Sequence, residues 1–120
     1  MANILIAVQT QSLCTALADA LPQHELHCCY TGADALASLE ALRPDALLID
    51  LSLPEITGLS VLQRTTYRPP VRLALTSLCN DLVLQAAEAA GVQELFLLPC
   101  SVRSVLRHLE ERLETPTPTV

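Results

Sequence analysis

Residues 44–58 read Pro44-Asp45-Ala46-Leu47-Leu48-Ile49-Asp50-Leu51-Ser52-Leu53-Pro54-Glu55-Ile56-Thr57-Gly58, and this segment predicts the fold of the whole chain. Residues 46–49 are apolar at every position, as expected for a central strand of a parallel sheet that is covered on both faces. The strand ends on one carboxylate, Asp50, and a loop containing a proline and a glycine follows it. Because ligands of parallel sheets gather at the carboxyl ends of the strands, Asp50 is the first candidate for a functional side chain.

Four further apolar runs of strand length surround this segment, at residues 4–8, 25–30, 71–76 and 94–98. Segments of helical period separate them, with predicted starts near Ser12, Thr31, Thr57, Asn80 or Asp81, and Ser101, and with Gly91 after the fourth helix. Such alternation with short connections is typical of a parallel sheet wrapped by helices. We therefore predict an α/β, flavodoxin-like three-layer sandwich, with a five-stranded parallel sheet in the order 2-1-3-4-5 and five helices.

The length of 120 residues predicts one domain, over residues 1–114. Residues 115–120, Thr-Pro-Thr-Pro-Thr-Val, are expected to form a flexible tail or the start of a linker.

The charge pattern argues against a nucleic-acid partner, since the net charge is −6 and the seven basic residues, all arginine, are dispersed. No apolar run approaches the roughly 20 residues that span a bilayer, so no membrane partner is expected. The first residues form a strand without a basic leader, and a cytoplasmic location is expected.

The cysteines do not predict a disulfide framework, because their number is odd and no pair has C-x-x-C spacing. They are Cys14, Cys28, Cys29, Cys79 and Cys100. In a cytosolic protein we expect them to be small buried hydrophobes, with Cys28 and Cys29 on opposite faces of a strand. Cys79 and Cys100 follow neighbouring strands, which leaves two alternatives: a redox or soft-metal pair, or two unpaired loop thiols, which we favour.

From Asn3 to Leu113 the chain resembles the receiver domains of bacterial two-component response regulators, although in an atypical form. The resemblance rests on residues that match the family in order and spacing: Asp50, Pro54, Gly58, Thr76, Gly91 and Pro99. It implies that Asp50 is the phosphoacceptor position, that Thr76 is the hydroxyl that senses the phosphoryl group, and that Pro99 is the proline after the fifth strand, commonly in cis.

The resemblance also implies groups that this chain lacks. In the family, two acidic residues after the first strand hold Mg²⁺ and a lysine ends the fifth strand, because phosphoryl transfer to a carboxylate needs charge neutralisation. Here Val8, Gln9 and Leu98 occupy those positions, and Leu95 occupies that of a switch aromatic, with Phe96 on the opposite face. Asp50 and the Ser52 carbonyl provide few ligands for Mg²⁺. Glu55 is the only obvious source of a second carboxylate. We expect Mg²⁺ binding to be weak or absent, and no other metal or cofactor.

Three functions follow as hypotheses. The first is an atypical receiver, not an enzyme, that acts through protein contacts independently of phosphorylation; the second is a true receiver phosphorylated at Asp50 by a histidine kinase. The third, a flavodoxin-like cofactor binder or enzyme, is disfavoured because the loop 9–12 has no glycine to cradle a phosphate. The expected partners are a histidine kinase or another signalling protein, or a second copy bound through the fourth helix, fifth strand and last helix. That face is predicted to carry Asp81, Gln85, Glu88, Glu94, Arg103, Arg107 and Glu110.

Overall fold

Five β-strands and five α-helices alternate along the part of the chain that the structure, a computed structural model, describes: residues 2–78 and 80–114. The strands are β1 (Asn3–Ala7), β2 (Glu25–Cys29), β3 (Ala46–Asp50), β4 (Val71–Thr76) and β5 (Glu94–Leu97). The helices are α1 (Gln11–Ala20), α2 (Gly32–Leu42), α3 (Gly58–Arg64), α4 (Asp81–Ala89) and α5 (Val102–Glu114). All strand pairs are parallel and their order is β2-β1-β3-β4-β5, which confirms the predicted flavodoxin-like topology.

The helices cover the sheet on both faces and bury two apolar layers, because successive strand residues point to opposite sides. Leu5, Ala7 and Ile49 lie in one layer, beneath α2, α3 and α4. Ile4, Ile6 and Val8 lie in the other, beneath α1 and α5. β3, at the centre of the sheet, is buried along its full length, as its continuous apolar sequence predicts.

Most predicted helix ends are confirmed. Thr31, Thr57 and Asn80 each cap a helix by accepting a hydrogen bond from a backbone N–H three residues on. Gly91 follows α4 with φ +90°, a conformation that favours glycine.

The predicted start of the first helix at Ser12 is wrong, since α1 begins at Gln11 with Thr10 as N-cap, and the Thr10 side chain makes no capping bond. Cys14, Leu17 and the following Leu21 are buried, whereas Ala16 and Ala20 are exposed.

The prediction that no disulfide forms is also wrong, because Cys14 of α1 is bonded to Cys28 of β2. The two Cα atoms are 6.4 Å apart, within the range that a disulfide bridges. The sequence spacing gave no sign of this pair because α1 folds back over the sheet before it meets β2. Cys29 is a buried free thiol in the opposite layer, as predicted, and Cys100 is a half-buried free thiol.

Two parts of the sequence prediction lie outside the described residues: Cys79 and the 115–120 tail. Among the described helices, none has the length and apolar character needed to cross a membrane; the longest, α5, has 13 residues.

Candidate functional site

Asp50 is the last residue of β3 and lies at the carboxyl edge of the sheet, as predicted. Its side chain is only 5% exposed, and Oδ1 accepts a hydrogen bond of 2.8 Å from the Ser52 backbone N–H. The backbone at Leu51 continues the pairing with β4 by donating to the Leu75 carbonyl at 2.9 Å. The carboxylate is therefore held in one orientation by the first turn of the loop that follows it.

The loop after Asp50 is fixed by two glycines. Gly58 donates to the Leu51 carbonyl at 3.1 Å, and a Cβ at this position would stand 2.2 Å from the Asp50 carbonyl oxygen. Gly32, the first residue of α2, donates to the Pro54 carbonyl at 3.0 Å. The role of Gly32 was not identified from the sequence. A glycine at the start of a helix, where the backbone of another loop can approach closely, was the available indication. Glu55 is exposed, with φ 69°.

The two residues that replace the family's acidic pair have different surroundings. Val8 is 1% exposed and packs in the layer beneath α1 and α5. Since β1 pairs with β3 at Ala7 and Ile49, the next step of the register brings Val8 beside Asp50. Gln9 is exposed, and its Nε2 donates a hydrogen bond of 2.8 Å to the Ser52 carbonyl oxygen. On the side of β1, the Asp50 carboxylate is thus bordered by the apolar Val8 side chain and by the hydrogen bond from Gln9 to Ser52.

Thr76 ends β4 and is 3% exposed. Its Oγ1 donates to the Leu78 carbonyl at 2.8 Å and accepts from the Leu78 N–H at 3.1 Å. The hydroxyl predicted to face a phosphoryl group is engaged with its own loop instead.

The fifth strand contributes no charge to the site. The Leu98 N–H donates to the Thr76 carbonyl at 2.7 Å, and the Leu98 side chain packs against the layer beneath α1 and α5. The Leu98–Pro99 peptide bond is cis, as the resemblance implied. Leu95 and Phe96 pack in opposite layers, as predicted.

An apolar groove of about 310 Å³ opens beside the aspartate, between the loop after β3 and helix α4. Its walls come from β4, α3, α4 and the loops after β3 and β4: Leu51, Ser52, Thr57, Leu59, Thr76, Leu78, Leu82, Val83 and Ala86. Two of these side chains are unusually open to solvent, Leu78 at 61% and Leu82 at 77% exposure. Sequence reasoning did not single out this groove, because the leucines come from separate segments.

The face made by α4, β5 and α5, which is predicted to carry seven polar side chains, is only partly open to solvent. Asp81, Gln85, Glu88 and Arg103 are exposed there. Glu94, however, lies 2.7 Å from His108 Nδ1 and 2.9 Å from Arg112 Nε, so its carboxylate ties β5 to α5. Arg107 approaches Glu111 at 4.0 Å, at the predicted i,i+4 spacing.

Val8 and Gln9 bring no carboxylate to the strand ends where the resemblance implies a Mg²⁺ ion, and weak or absent Mg²⁺ binding is still a prediction. Mg²⁺ needs near-octahedral oxygen ligands and is usually bound through one or two carboxylates. Here the Val8 side chain offers no oxygen, and the Ser52 carbonyl accepts a hydrogen bond from the Gln9 amide. Within residues 2–78 and 80–114, no three His, Cys, Asp or Glu side chains gather closely enough to hold a metal.

The strand order gives the chain a flavodoxin-like fold, with the carboxylate of Asp50 at the end of the central strand. The structure resembles the non-phosphorylated HemR receiver domain from Leptospira biflexa, with a TM-score of 0.86 and 20% identity over 100% of both chains. It also resembles the BeF3-activated DrrB receiver domain, with a TM-score of 0.81 and 22% identity over 96% of this chain and 99% of that one. The fold expected from the resemblance is thereby confirmed.

In sequence, the chain is similar to the regulatory protein LuxO from Vibrio cholerae, at 33% identity over 72 residues, which are 58% of this chain and 16% of that protein. It is similar to protein-glutamate methylesterase/protein-glutamine glutaminase 1 from Methanospirillum hungatei, at 31% identity over 78 residues, 62% of this chain and 23% of that protein. The chain thus spans less than a quarter of either relative. No family model matches it.

Proposed function

We propose that this chain is a receiver domain of a two-component response regulator that acts through protein contacts, independently of phosphorylation at Asp50. The observation that carries the proposal is the hydrogen bond from Gln9 to the Ser52 carbonyl, which closes the loop around Asp50 with a neutral group. We propose a binding role rather than an enzymatic one, and the methylesterase relative is matched over only 23% of its length. The cytoplasmic location and the absence of nucleic-acid and membrane partners are still predictions from composition.

The electrostatics of the site support this proposal. An incoming phosphoryl group and the Asp50 carboxylate are both anions, so transfer between them depends on nearby cations. The neighbours at the family's charged positions are a buried valine, an amide and a leucine that packs into the core. None of the three can offset the added negative charge.

The hydrogen bonding of Thr76 supports it as well. A threonine that senses a phosphoryl group must present its hydroxyl to that group. The Thr76 hydroxyl both donates to and accepts from the backbone of Leu78, so reorientation would break two hydrogen bonds in a nearly buried site.

One observation favours the second candidate, a receiver phosphorylated at Asp50 by a histidine kinase. Asp50 keeps its position at the end of the central strand, with a backbone N–H donor on Oδ1 at 2.8 Å. In this alternative the kinase supplies the missing positive charge.

The groove beside Asp50 is the surface that we propose for a signalling partner. Leu78 and Leu82 are large exposed apolar side chains at its mouth, and such exposure is typical of binding surfaces. Helix α4 presents Leu82, Val83 and Ala86 to this groove, and its acidic residues Asp81 and Glu88 lie on another side of the helix. A protein segment with an apolar anchor therefore complements this surface.

Amide NMR spectra with and without Mg²⁺ and beryllofluoride, which mimics a phosphoryl group, test the independence from phosphorylation. Asp50→Asn serves as the control because asparagine keeps an oxygen for the Ser52 N–H. We expect unchanged spectra for both proteins at millimolar ligand. Shifts around Asp50 and Thr76 that vanish in Asp50→Asn would establish the second candidate instead.

The docking surface is tested with Leu82→Glu against Leu84→Glu, a variant of the same helix two residues away and so on a different side. We expect capture of a partner from a lysate of the source organism to be lost with Leu82→Glu and kept with Leu84→Glu and Asp50→Asn. Equal capture by both glutamate variants would exclude the groove. A dimer in sedimentation that Leu82→Glu dissociates would show that the occupant is a second copy of this chain.

A further inference from the structure

The disulfide between Cys14 and Cys28 joins the first helix to the edge strand of the sheet. The two sulfur-bearing residues differ in access to solvent: Cys14 is 1% exposed within the layer beneath α1 and α5, whereas Cys28 is exposed. A thiolate from solution can therefore approach the bond from the Cys28 side only.

We propose that Cys14 and Cys28 form a reversible thiol–disulfide exchange site, at which a small thiol such as glutathione attacks the Cys28 sulfur and releases the first turn of α1. The proposal is independent of phosphorylation at Asp50. It gives the chain an input that responds to the thiol–disulfide balance of its surroundings.

The exchange proceeds in two balanced steps. A small thiolate bonds to the Cys28 sulfur, the Cys14–Cys28 bond breaks, and Cys14 leaves as a thiolate that takes up a proton. A second small thiolate then attacks the small-molecule sulfur of this mixed disulfide and releases Cys28. The protein gains two electrons and two protons in total, and the two small thiols leave as their disulfide.

The bond holds the helix end that has the weakest other attachment. Thr31, Thr57, Asn80 and Ser101 each accept a backbone N–H at the start of a described helix, at α2, α3, α4 and α5. At α1 the Thr10 side chain makes no such bond, and Cys14 is the fourth residue of this helix. The disulfide thus fastens the one described helix start that lacks a side-chain cap.

The released segment leads directly to the candidate site. Only Gln11, Ser12 and Leu13 separate the capping residue Thr10 from Cys14, and Gln9 precedes Thr10. Gln9 bonds to Ser52 beside Asp50. When the first turn of α1 is released, Gln9 is held less firmly, and its hydrogen bond to Ser52 is weakened.

The neighbouring thiol does not interfere with the exchange. Cys29 adjoins Cys28 in sequence but lies buried in the opposite layer of the sheet. A thiolate at Cys28 faces α1 and solvent, so reshuffling to Cys29 would require the strand to open.

The folded chain is incubated with glutathione without denaturant, quenched with acid, and only then alkylated in denaturant, so that the buried Cys14 is accessible to the label. Peptide mapping should find Cys14 and Cys28 labelled after reduced glutathione and protected after oxidised glutathione, with any mixed disulfide at Cys28. Two outcomes would overturn the proposal: free thiols at both positions even in oxidised glutathione, or a bond that resists reduced glutathione until the chain unfolds.

Amide hydrogen exchange tests the consequence for α1. We expect faster exchange at amides 14–17, which donate to the carbonyls of residues 10–13 in the first turn, in the reduced protein and in Cys28→Ser, while the corresponding amides 35–38 of α2 are unchanged. Cys100→Ser, at a free thiol elsewhere, serves as the control and should behave like the wild type. If α1 exchanged at the same rate in the oxidised and the reduced wild type, the disulfide would have no effect on the first turn, and the proposal would be overturned.

Discussion

Gln9 and Ser52 are joined by a hydrogen bond of 2.8 Å, from the Gln9 side-chain amide to the Ser52 carbonyl oxygen. This bond crosses the carboxyl edge of the sheet from the loop after β1 to the loop after β3, in which Ser52 also donates to Asp50. The carbonyl that the resemblance implies as a metal ligand therefore has a neutral hydrogen-bond donor within the protein.

Gln9→Ala removes this bridge. Because Gln9 is exposed, we expect the free energy of unfolding to fall by only about 0.5–1 kcal/mol. The amide resonances of Ser52 and Leu53 should shift, and Gln11→Ala, also at an exposed position, should leave them in place. Unshifted Ser52 resonances in Gln9→Ala would contradict the presence of the bridge in solution.

Val8→Asp places a carboxylate in an apolar layer and next to Asp50. Val8 is 1% exposed, so we expect a loss of at least about 2 kcal/mol in the free energy of unfolding. Val8→Asn separates the two causes, since asparagine adds polarity without charge. Denaturant unfolding should therefore rank wild type above Val8→Asn and Val8→Asn above Val8→Asp.

A triple variant, Val8→Asp with Gln9→Asp and Leu98→Lys, tests whether the missing side chains alone account for the poor fit to Mg²⁺. We expect Mg²⁺ to raise the melting temperature of this variant and to leave that of the wild type unchanged, because the added carboxylates join Asp50 as ligands. Absence of a Mg²⁺ effect on the triple variant would show that the backbone of the loop has also diverged.

Thr76→Val should lower the free energy of unfolding by about 1–2 kcal/mol, because it removes the hydroxyl of a nearly buried residue that bonds both the N–H and the carbonyl of Leu78. Thr76→Ser keeps the hydroxyl and should cost clearly less. Chemical denaturation of the two variants measures the difference. Equal losses would mean that the methyl group contributes as much to stability at this position as the two hydrogen bonds of the hydroxyl.

The topology could be predicted from the sequence because each strand carries its own local signal. The apolar run ending at Asp50 and the proline and glycine after it placed the central strand and its loop correctly. Capping residues such as Thr57 and Asn80 placed two of the helix starts. These features depend on neighbours in the chain, and local patterns report them well.

The contacts of the site could not be predicted, because they join residues far apart in the chain. The Gln9 bridge spans 43 positions, and the Cys14–Cys28 bond depends on how α1 lies over the sheet. The sequence does show that Val8, Gln9 and Leu98 carry no charge. Whether each side chain turned toward Asp50 or into the core was decided by packing.

Gly58→Ala should be among the most destabilising alanine substitutions in the loop around Asp50. Its Cβ would meet the Asp50 carbonyl oxygen at 2.2 Å, and this backbone atom cannot move aside without disturbing the end of β3. We expect a loss of about 3 kcal/mol in the free energy of unfolding. Gly91→Ala, where the closest group at 3.0 Å is the flexible end of Arg68, should cost less despite its φ of +90°. The reverse order would contradict the close approach at Gly58.

Cys29 makes stability depend on pH. Burial raises the pKa of its thiol from 9.0 to about 11, with the Asp34 carboxylate adding to the shift. Below pH 9 the thiol is protonated in both the folded and the unfolded chain. Between about pH 9 and 11 the unfolded chain releases a proton that the folded chain keeps, so the free energy of unfolding falls as pH rises, by at most about 1.4 kcal/mol per pH unit.

We expect this alkaline decline to be weaker in Cys29→Ala, although that variant starts from a lower stability because it leaves a small cavity. Urea unfolding is measured at several pH values from 8 to 11. The change in the free energy of unfolding with pH reports the ionisation of Cys29, whereas its absolute value also includes the effect of the cavity. A smaller decline should persist in the variant, because burial also raises the pKa of Cys100. Cys29→Ala and the wild type would show parallel slopes only if the Cys29 thiol were accessible to solvent in the folded chain, contrary to its 7% exposure.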